Sequence, residues 1–348
     1  MIRALVPRAF VAIIGAGCSE PTPARPPDAA IAVDGTVTDA ETRPEPPAAL
    51  TRWLVGDPAD RVTDSQGGII LMGGGADVDA AFAWQRGRIG GGDIVVLRTS
   101  GANGYNDYLF AEIGGADSVE TLRVDTRALA DDPYVRWTLE HAEAIFLAGG
   151  DQATYVDAWR GTAVTAAIQT AAARGAVIGG TSAGCAFLGG IVYTGAAGSV
   201  YSDEALEDPY NSRMTLVRDV VALPALAGVV TDTHFRARDR MGRLVAFTAR
   251  IVSDGWAQHP LGIGVDEKTA LVIDHAGLGT VIGSGSVYMI AATTAPTTCA
   301  PNTPLAWAAI PRFALTPGAT VALPAGTTQV APLSLSATSG ALEPANPY

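Results

Sequence analysis

A serine set among small residues is the first candidate for chemistry in this sequence. Ser182 stands in the G-x-S-x-G pattern Gly180-Thr181-Ser182-Ala183-Gly184, with an apolar run before it and small and apolar residues after it. This setting predicts a nucleophile elbow, a strained turn from a buried strand into a helix that exposes the serine hydroxyl. The amide of Ala183 would then point toward a developing oxyanion. In a chain with 40 glycines the five-residue pattern alone is weak, so its setting carries the prediction.

A nucleophilic serine needs a base and a group that orients the base, and the chain has four histidines. His234 is the best candidate for the base, because it follows an apolar strand-like run and lies close to Asp232. Asp266 and Glu267 stand between two later apolar runs, where either carboxylate could hold the imidazole tautomer. A surface or capping histidine and an acidic turn are the simpler alternatives.

The elements that would position these residues follow one another from residue 67 onward. Short, continuous apolar runs alternate with helical patterns, which predicts a three-layer α/β fold: a mostly parallel sheet covered by helices on both faces. Glycine turns at 73–75, 149–150 and 180–184 follow three of these runs. Such turns gather at the carboxyl edge of the sheet, so Gly150 or the adjoining amide is predicted as the second oxyanion donor. The turn at 73–77 lacks the dinucleotide-binding spacing, and we interpret it as a tight turn.

Composition limits the class of protein. The 348 residues, 48% of them hydrophobic, are enough for one large domain or two smaller ones with real cores. A net charge of −12 provides no general basic field, so nucleic acid is excluded as an expected partner. The sequence has neither an H-E-x-x-H motif nor a cluster of cysteine and histidine ligands, so we expect no metal and no cofactor.

The amino-terminal residues 1–18 have the layout of a signal peptide. Arg3 and Arg8 precede a short apolar run, and small residues then lead to Cys18, as in bacterial lipoprotein signals where that cysteine is acylated. We therefore expect export and a lipid anchor on a bacterial membrane, periplasmic or at the cell surface, with no other membrane contact. The alternative is that Cys18 belongs to a peptide that is simply removed. Residues 19–50, rich in Pro, Ala, Asp, Glu and Thr, are predicted to be a disordered linker.

Two further cysteines raise the question of a disulfide. Cys185 and Cys299 could pair in an oxidising compartment, but Cys185 lies three residues after Ser182 in an apolar setting. A buried free thiol is the interpretation we favour.

Taken together, the motifs resemble the cyanophycinase-like serine peptidases, peptidase family S51, which also include bacterial aspartyl dipeptidases. The resemblance covers roughly residues 65–290 and is carried, in family order, by LMGGGAD, FLAGGDQ, GGTSAGCAF, DTHFRARDRMGRL, GIGVDEKTAL and GSGSVYMI. It implies a fold similar to the class I glutamine amidotransferases, which is flavodoxin-like, with serine in place of cysteine at the elbow.

The resemblance also implies roles for individual residues. Ser182 matches the nucleophile, His234 the base and Glu267 its acidic partner, with Asp266 as the fallback. The oxyanion-hole amides match Gly150 and Ala183. The substrate pocket of the family matches Gln152, Asp232, Arg238, Arg240 and Arg243.

Carboxylates and amides in such a pocket suit a guanidinium, and arginines suit the carboxylates of an aspartate. The alternative is that the arginines form a solvated helix face. Thr233, which we place in the pocket as well, stands where cyanophycinases commonly carry glutamine, and this change could alter the substrate.

The sequence therefore predicts an exported serine exopeptidase that hydrolyses cyanophycin or related β-aspartyl peptides through an acyl-enzyme. A serine hydrolase of other specificity, such as an aspartyl dipeptidase, and a non-catalytic binding lipoprotein are the alternatives. We assign the peptidase domain to residues 51–290, and residues 291–348 to an extension with β-like runs and no assigned function. The resemblance is compatible with a homodimer.

Overall fold

The computed structural model describes residues 42–348 of the chain, and Arg43–Tyr348 form one compact unit. The predicted signal segment 1–18, with Cys18, and most of the predicted linker lie outside the described residues. Across the described part, every helix is too short or too polar to cross a membrane.

Seventeen strands and eight α-helices make up the described part of the chain. The strands are β1 (Thr51–Gly56), β2 (Gly68–Met72), β3 (Ile94–Arg98), β4 (Ser118–Arg123), β5 (Ala144–Leu147), β6 (Val177–Thr181), β7 (Ile191–Tyr193), β8 (Leu216–Arg218), β9 (Val229–Asp232), β10 (Leu261–Val265), β11 (Thr269–Ile273), β12 (Leu278–Gly283), β13 (Val287–Ala291), β14 (Trp307–Leu315), β15 (Thr320–Ala322), β16 (Leu333–Thr338) and β17 (Ala341–Glu343). The helices are α1 (Asp79–Arg86), α2 (Arg127–Ala130), α3 (Pro133–His141), α4 (Gln152–Trp159), α5 (Ala163–Arg174), α6 (Ala183–Leu188), α7 (Ser202–Glu207) and α8 (Met241–Ser253).

The first sheet has nine strands in the order β1-β4-β3-β5-β6-β2-β11-β12-β15. Its central strands β4, β3, β5, β6 and β2 are parallel, and the strands on either side of them pair antiparallel. The predicted mostly parallel sheet is therefore limited to the centre, and the sheet as a whole is mixed. The short turn between β11 and β12 reverses the chain, which imposes antiparallel pairing at that edge.

Helices cover both faces of the central strands. Ile70 and Met72 of β2 pack in one apolar cluster with Phe82 of α1. Ile69 and Leu71 of the same strand belong to another cluster, which includes residues of α2 to α6. Alternate residues of one strand thus enter different clusters, which explains why the apolar runs in the sequence are continuous.

A second sheet of eight strands follows the order β17-β16-β14-β13-β10-β9-β7-β8. Within it β9 is parallel to β7 and β10, and the other neighbours pair antiparallel. The sequence pattern does not predict this sheet. It matters for the site because β9 leads to His234, and the turn from β10 to β11 carries the chain, with Glu267, from the second sheet to the first.

The compact unit extends beyond residues 51–290 on both sides. Arg43 bonds to the carboxylate of Glu120 and lies over the ring of Tyr134. At the other end, β14 pairs with β13 and β15 pairs with β12, so the extension contributes strands to both sheets.

Candidate active site

Ser182 is the single residue between β6 and α6, and its backbone is strained. Its φ of 51° and ψ of −114° lie in a region that residues other than glycine rarely adopt. The small neighbours allow this turn: a β-carbon on Gly180 would lie 2.5 Å from the carbonyl carbon of Gly184. One on Gly184 would lie 2.1 Å from the carbonyl oxygen of Leu147. The glycines are therefore required by backbone packing around the serine.

Ser182, His234 and Glu267 form an unbroken chain of hydrogen bonds. The hydroxyl Oγ of Ser182 lies 2.8 Å from Nε2 of His234, and Nδ1 of His234 lies 2.6 Å from Oε1 of Glu267. The side chain of His234 is 12% exposed and that of Glu267 is 38% exposed, so the pair opens to solvent on the carboxylate side. Three residues chosen from separate sequence segments thus meet at the junction of the two sheets.

Asp266, the alternative acid, has other partners. Its carboxylate accepts the amide of Arg236 at 2.9 Å and the amide of Ser286 at 3.1 Å. It therefore holds two backbone segments beside the site, and Glu267 is the carboxylate that contacts the imidazole.

The electrostatics of the three residues favour a neutral imidazole beside an ionised carboxylate. Burial lowers the pKa of His234, and the charges of Arg238 and Arg240 lower it further, against the opposing effect of the hydrogen bond that the imidazole donates to Glu267. The hydrogen bond from His234 lowers the pKa of Glu267. Because the ionised carboxylate can only accept, Nδ1 of His234 carries the proton, which leaves Nε2 free to accept from the serine hydroxyl.

The glycine loop after β2 ties the three segments together. The carbonyls of residues 72–74 accept, in order, the amides of Ser182 at 3.0 Å, His234 at 2.7 Å and Lys268 at 2.9 Å. Lys268 directly follows Glu267. The interpretation of residues 73–77 as a tight turn misses this role, although the position of the loop at a strand end beside the other glycine turns is a signal for it.

Two amides beside Ser182 are available to a ligand. Within residues 42–348, the amides of Gly150, after β5, and Ala183, at the start of α6, donate to no other group. The loop that carries Gly150 is fixed by the hydroxyl of Tyr155, which donates to the carbonyl of Ala148 at 2.9 Å and lies 3.3 Å from the carbonyl of Gly149. A β-carbon on Gly149 would lie 3.6 Å from the β-carbon of Ser182, so this loop passes close to the serine.

Asp232 and Arg243, two of the predicted pocket residues, are paired with each other. Nε of Arg243 lies 2.6 Å from Oδ2 of Asp232 and Nη2 lies 2.5 Å from Oδ1, and both residues are 3% exposed. Burial would raise the pKa of Asp232, but the charges of Arg243 and Arg240 keep it below its ordinary value. Both oxygens of the Asp232 carboxylate already accept from Arg243, so this carboxylate is not open to a guanidinium of a ligand.

The other predicted pocket residues differ in exposure. Nε2 of Gln152, at the start of α4, lies 3.4 Å from the carbonyl of Tyr193. Thr233 is buried, and its carbonyl accepts Nη1 of Arg240 at 2.6 Å. Arg238 is exposed and lines a cavity of about 400 Å³ between the start of α7 and the turn that follows His234.

Other features of the described residues lie apart from these side chains. Cys185 and Cys299 are free thiols, as we favour from the sequence, and burial raises the pKa of Cys185. Within residues 42–348, no group of three or more histidine, cysteine or acidic side chains is arranged to hold a metal ion. A cavity of about 700 Å³ lies at the starts of β2 and β6, opposite the edge that carries Ser182.

An α/β fold that presents serine, histidine and a carboxylate in this arrangement is typical of serine hydrolases. The sequence matches the model of peptidase family S51 over residues 106–280, about half of the chain. The chain belongs to peptidase family S51, which confirms the resemblance drawn from its motifs.

Comparison with known proteins agrees with this family. The cyanophycinase of Trichormus variabilis is 33% identical over 185 residues, which cover 52% of this chain and 56% of that protein. The cyanophycinase of a Nostoc species is 32% identical with the same coverage. The chain therefore spans just over half the length of these curated relatives. The crystal structure of a peptidase from an acI-B1 actinobacterium is 19% identical, with a TM-score of 0.50 over 75% of this chain and 98% of the other, a likeness of fold alone.

Proposed function

We propose that this chain is a serine exopeptidase that hydrolyses cyanophycin or related β-aspartyl peptides through Ser182, His234 and Glu267. The observation that carries the proposal is the hydrogen-bonded chain from the Ser182 hydroxyl to the Glu267 carboxylate, with distances of 2.8 and 2.6 Å. The positive φ of Ser182 between a strand and a helix supports its assignment as a nucleophile elbow. Membership of family S51 and relatives named cyanophycinase support the same activity.

The reaction begins with attack of Ser182 Oγ on the carbonyl carbon of the scissile bond. As the new C–O bond forms, Nε2 of His234 takes the hydroxyl proton, and Glu267 stabilises the imidazolium without accepting its proton. The carbonyl oxygen becomes an oxyanion, for which the amides of Gly150 and Ala183 are available donors. Neutral His234 at pH 7 fits the role of base, because burial lowers its pKa.

Collapse of the tetrahedral intermediate breaks the C–N bond. His234 gives its proton to the leaving amine, and the acyl group stays on Ser182 as an ester. Water then attacks the ester with His234 again as base, and the second collapse returns the proton to Ser182. Since both half-reactions use the same three side chains, no metal or cofactor enters the scheme.

Arg238 is the charge beside the catalytic residues that favours recognition of an aspartyl carboxylate. Arg238 is exposed and close enough to His234 and Glu267 for its charge to lower the pKa of each. The carboxylate of Asp232 is occupied by Arg243 and Arg240, so it is not available to a substrate guanidinium. We therefore assign the aspartyl part of the substrate to the side of residues 236–239, the arginine turn that carries Arg238.

The exposed Arg238 and the paired Asp232 also favour a second candidate, an aspartyl dipeptidase that does not act on the polymer. Arg238 suits the carboxylate of an aspartyl group, and the pairing of Asp232 leaves no carboxylate there for the arginine side chain of cyanophycin. The replacement of the usual glutamine by Thr233 points in the same direction.

Two experiments test the proposal. Ser182 of the purified protein should react with a fluorophosphonate, and Ser182→Ala should not; failure of the wild type to react would favour a non-catalytic binding protein.

Incubation with cyanophycin should release β-aspartyl-arginine, with a panel of α- and β-aspartyl dipeptides run in parallel. Cleavage of α-aspartyl dipeptides with the polymer untouched would replace the leading substrate by the second candidate.

We further propose that the protein is exported and anchored through Cys18, and that its layers follow the amidotransferase-like, flavodoxin-like arrangement. The first proposal rests on the sequence of residues 1–18, and labelling with a radioactive fatty acid, lost in Cys18→Ala, tests it. The second is supported by the parallel central strands and by apolar clusters on both of their faces.

A further inference from the structure

Tyr348, in the extension, is bonded to the turn that follows His234. Its hydroxyl donates to Oδ1 of Asp239 at 2.7 Å and accepts the amide of Met241, the first residue of α8, at 3.2 Å. Burial raises the pKa of Tyr348, so the hydroxyl stays a donor at neutral pH. Asp239 has a φ of 47°, a left-handed conformation that needs support from its surroundings when the residue is not glycine.

The ring of Tyr348 contacts two aromatic side chains and one guanidinium. It meets Phe235 edge to face with centroids 6.1 Å apart, and Tyr288 of β13 in the same way at 5.4 Å. The guanidinium of Arg236 lies over the ring, 5.7 Å from its centroid. Phe235 and Arg236 are the two residues directly after His234, so Tyr348 packs on the segment that carries the imidazole.

The opposite side of the turn faces a cavity. The hydroxyl of Ser202, at the start of α7, donates to the carbonyl of Asp239 at 2.5 Å. The cavity of about 400 Å³ beside it is lined by Tyr201, Ser202, Asp203, Glu204, Arg238 and Asp239. Arg238 is the one cation in this lining, beside the carboxylates of Asp203, Glu204 and Asp239, and it is joined to the turn through its chain neighbour Asp239.

We propose that Tyr348 is a positioning residue, which holds the Asp239 turn so that Arg238 is ready to bind a carboxylate of an aspartyl substrate. The inference rests on the proposed function. It assigns a role to an extension that lies outside the residues 106–280 matched to the family. Loss of the hydroxyl leaves Ser182, His234 and Glu267 in place but removes the bond to the Asp239 side chain. The turn is then held less firmly, with the Ser202 bond remaining, so binding must order Arg238 first. The expected defect is therefore in KM, with kcat kept.

The test compares Tyr348→Phe with Tyr210→Phe. Tyr210 makes an equivalent bond, its hydroxyl donating to Oδ1 of Asp254 at 2.7 Å, at the other end of α8. The 13 residues of α8 place this control about 18 Å away along the helix axis. Both variants lose one hydroxyl bonded to an aspartate and keep the aromatic ring; Tyr348→Phe also loses the bond from the amide of Met241.

For Tyr348→Phe we expect KM for an aspartyl substrate to rise roughly tenfold, the effect of one hydrogen bond to a charged group, with kcat and fluorophosphonate labelling unchanged. Amide exchange of residues 236–241 should become faster in this variant and stay as in the wild type for Tyr210→Phe. An unchanged KM with wild-type exchange would overturn the positioning role. A wild type that neither labels nor hydrolyses would overturn the proposed function instead, and the exchange measurement would still decide the role of Tyr348.

Discussion

Gly74 lies directly against the imidazole of His234. A β-carbon on Gly74 would come within 2.6 Å of both Cε1 and Nε2, and within 3.2 Å of the β-carbon of Ser182. Since Nε2 is the atom that meets the serine hydroxyl, the missing side chain at position 74 leaves room for the hydrogen bond between the two residues. The glycine loop is thus a part of the site and not only a turn.

Gly74→Ala should abolish most of the activity. The added methyl group must displace the imidazole, and the φ of 89° at this position adds backbone strain. We expect a fall in labelling rate of about 100-fold, as for a misplaced catalytic group. Gly161→Ala is the matched control, because Gly161 has a φ of 69° with nothing within 4 Å of an added β-carbon. Equal labelling of the two variants would show that His234 does not depend on the space at Gly74.

Ser182→Ala should lower kcat by about 10³-fold or more and remove labelling, because it removes the proposed nucleophile. Cys185→Ala tests the nearby thiol. Cys185 is fully buried, and burial raises the pKa of its thiol, so it is held in the unreactive protonated form. This variant should keep both labelling and turnover. Activity that survives in Ser182→Ala but is lost in Cys185→Ala would reverse the assignment.

The pH dependence of labelling should report His234. The imidazole accepts a proton only when neutral, so the labelling rate falls as pH drops through its pKa. Burial, then the arginines, hold this pKa below its ordinary value, so the rate should be above half of its plateau at pH 6.5. Arg238→Ala removes a positive charge that lowers the pKa, so the acid limb should move to higher pH, and less so at high salt. A limb that moves to lower pH would contradict this electrostatic account.

Asp232→Ala should destabilise the fold, because it leaves the buried charge of Arg243 without its partner. Loss of one member of a buried ion pair costs about 3–5 kcal/mol in the free energy of unfolding. Asp117→Ala breaks the pair with Arg61, whose side chain is 56% exposed, and should cost no more than about 1 kcal/mol. Denaturant unfolding of both variants measures the difference. Similar losses for the two would contradict a stabilising role of the buried Asp232–Arg243 pair in the fold.

Local sequence predicts the central strands and the serine turn well. Continuous apolar runs mark strands buried on both faces, and small residues on each side of Ser182 indicate a turn where the backbone must pass close to itself. The acid partner could not be chosen from local pattern, because Asp266 and Glu267 are adjacent and equally suited to the role. Only their positions in the turn between β10 and β11 separate the one that binds amides from the one that binds His234.

Local pattern also could not predict the second sheet or the pairing of the pocket charges, because both depend on long-range contacts. An apolar run shows that a strand is buried but not which strand lies beside it, so the division into two sheets stays hidden. Asp232 and Arg243 are 11 residues apart in the sequence and look equally available to a ligand. Their mutual burial depends on α8 packing against the second sheet, which is a long-range contact.

The sequence by itself determined the small-residue turn at Ser182, the choice of His234 among four histidines and membership of the family, because each depends on residue types at short spacing. The family resemblance favoured Glu267 over Asp266, and the tertiary structure shows that Glu267 is the one bonded to the imidazole. Only the tertiary structure shows that the carbonyls of residues 72–74 join the three segments and that the hydroxyl of Tyr348 bonds to Asp239. These contacts join residues that are far apart in the chain. Their geometry follows from how the two sheets meet, which no local pattern contains.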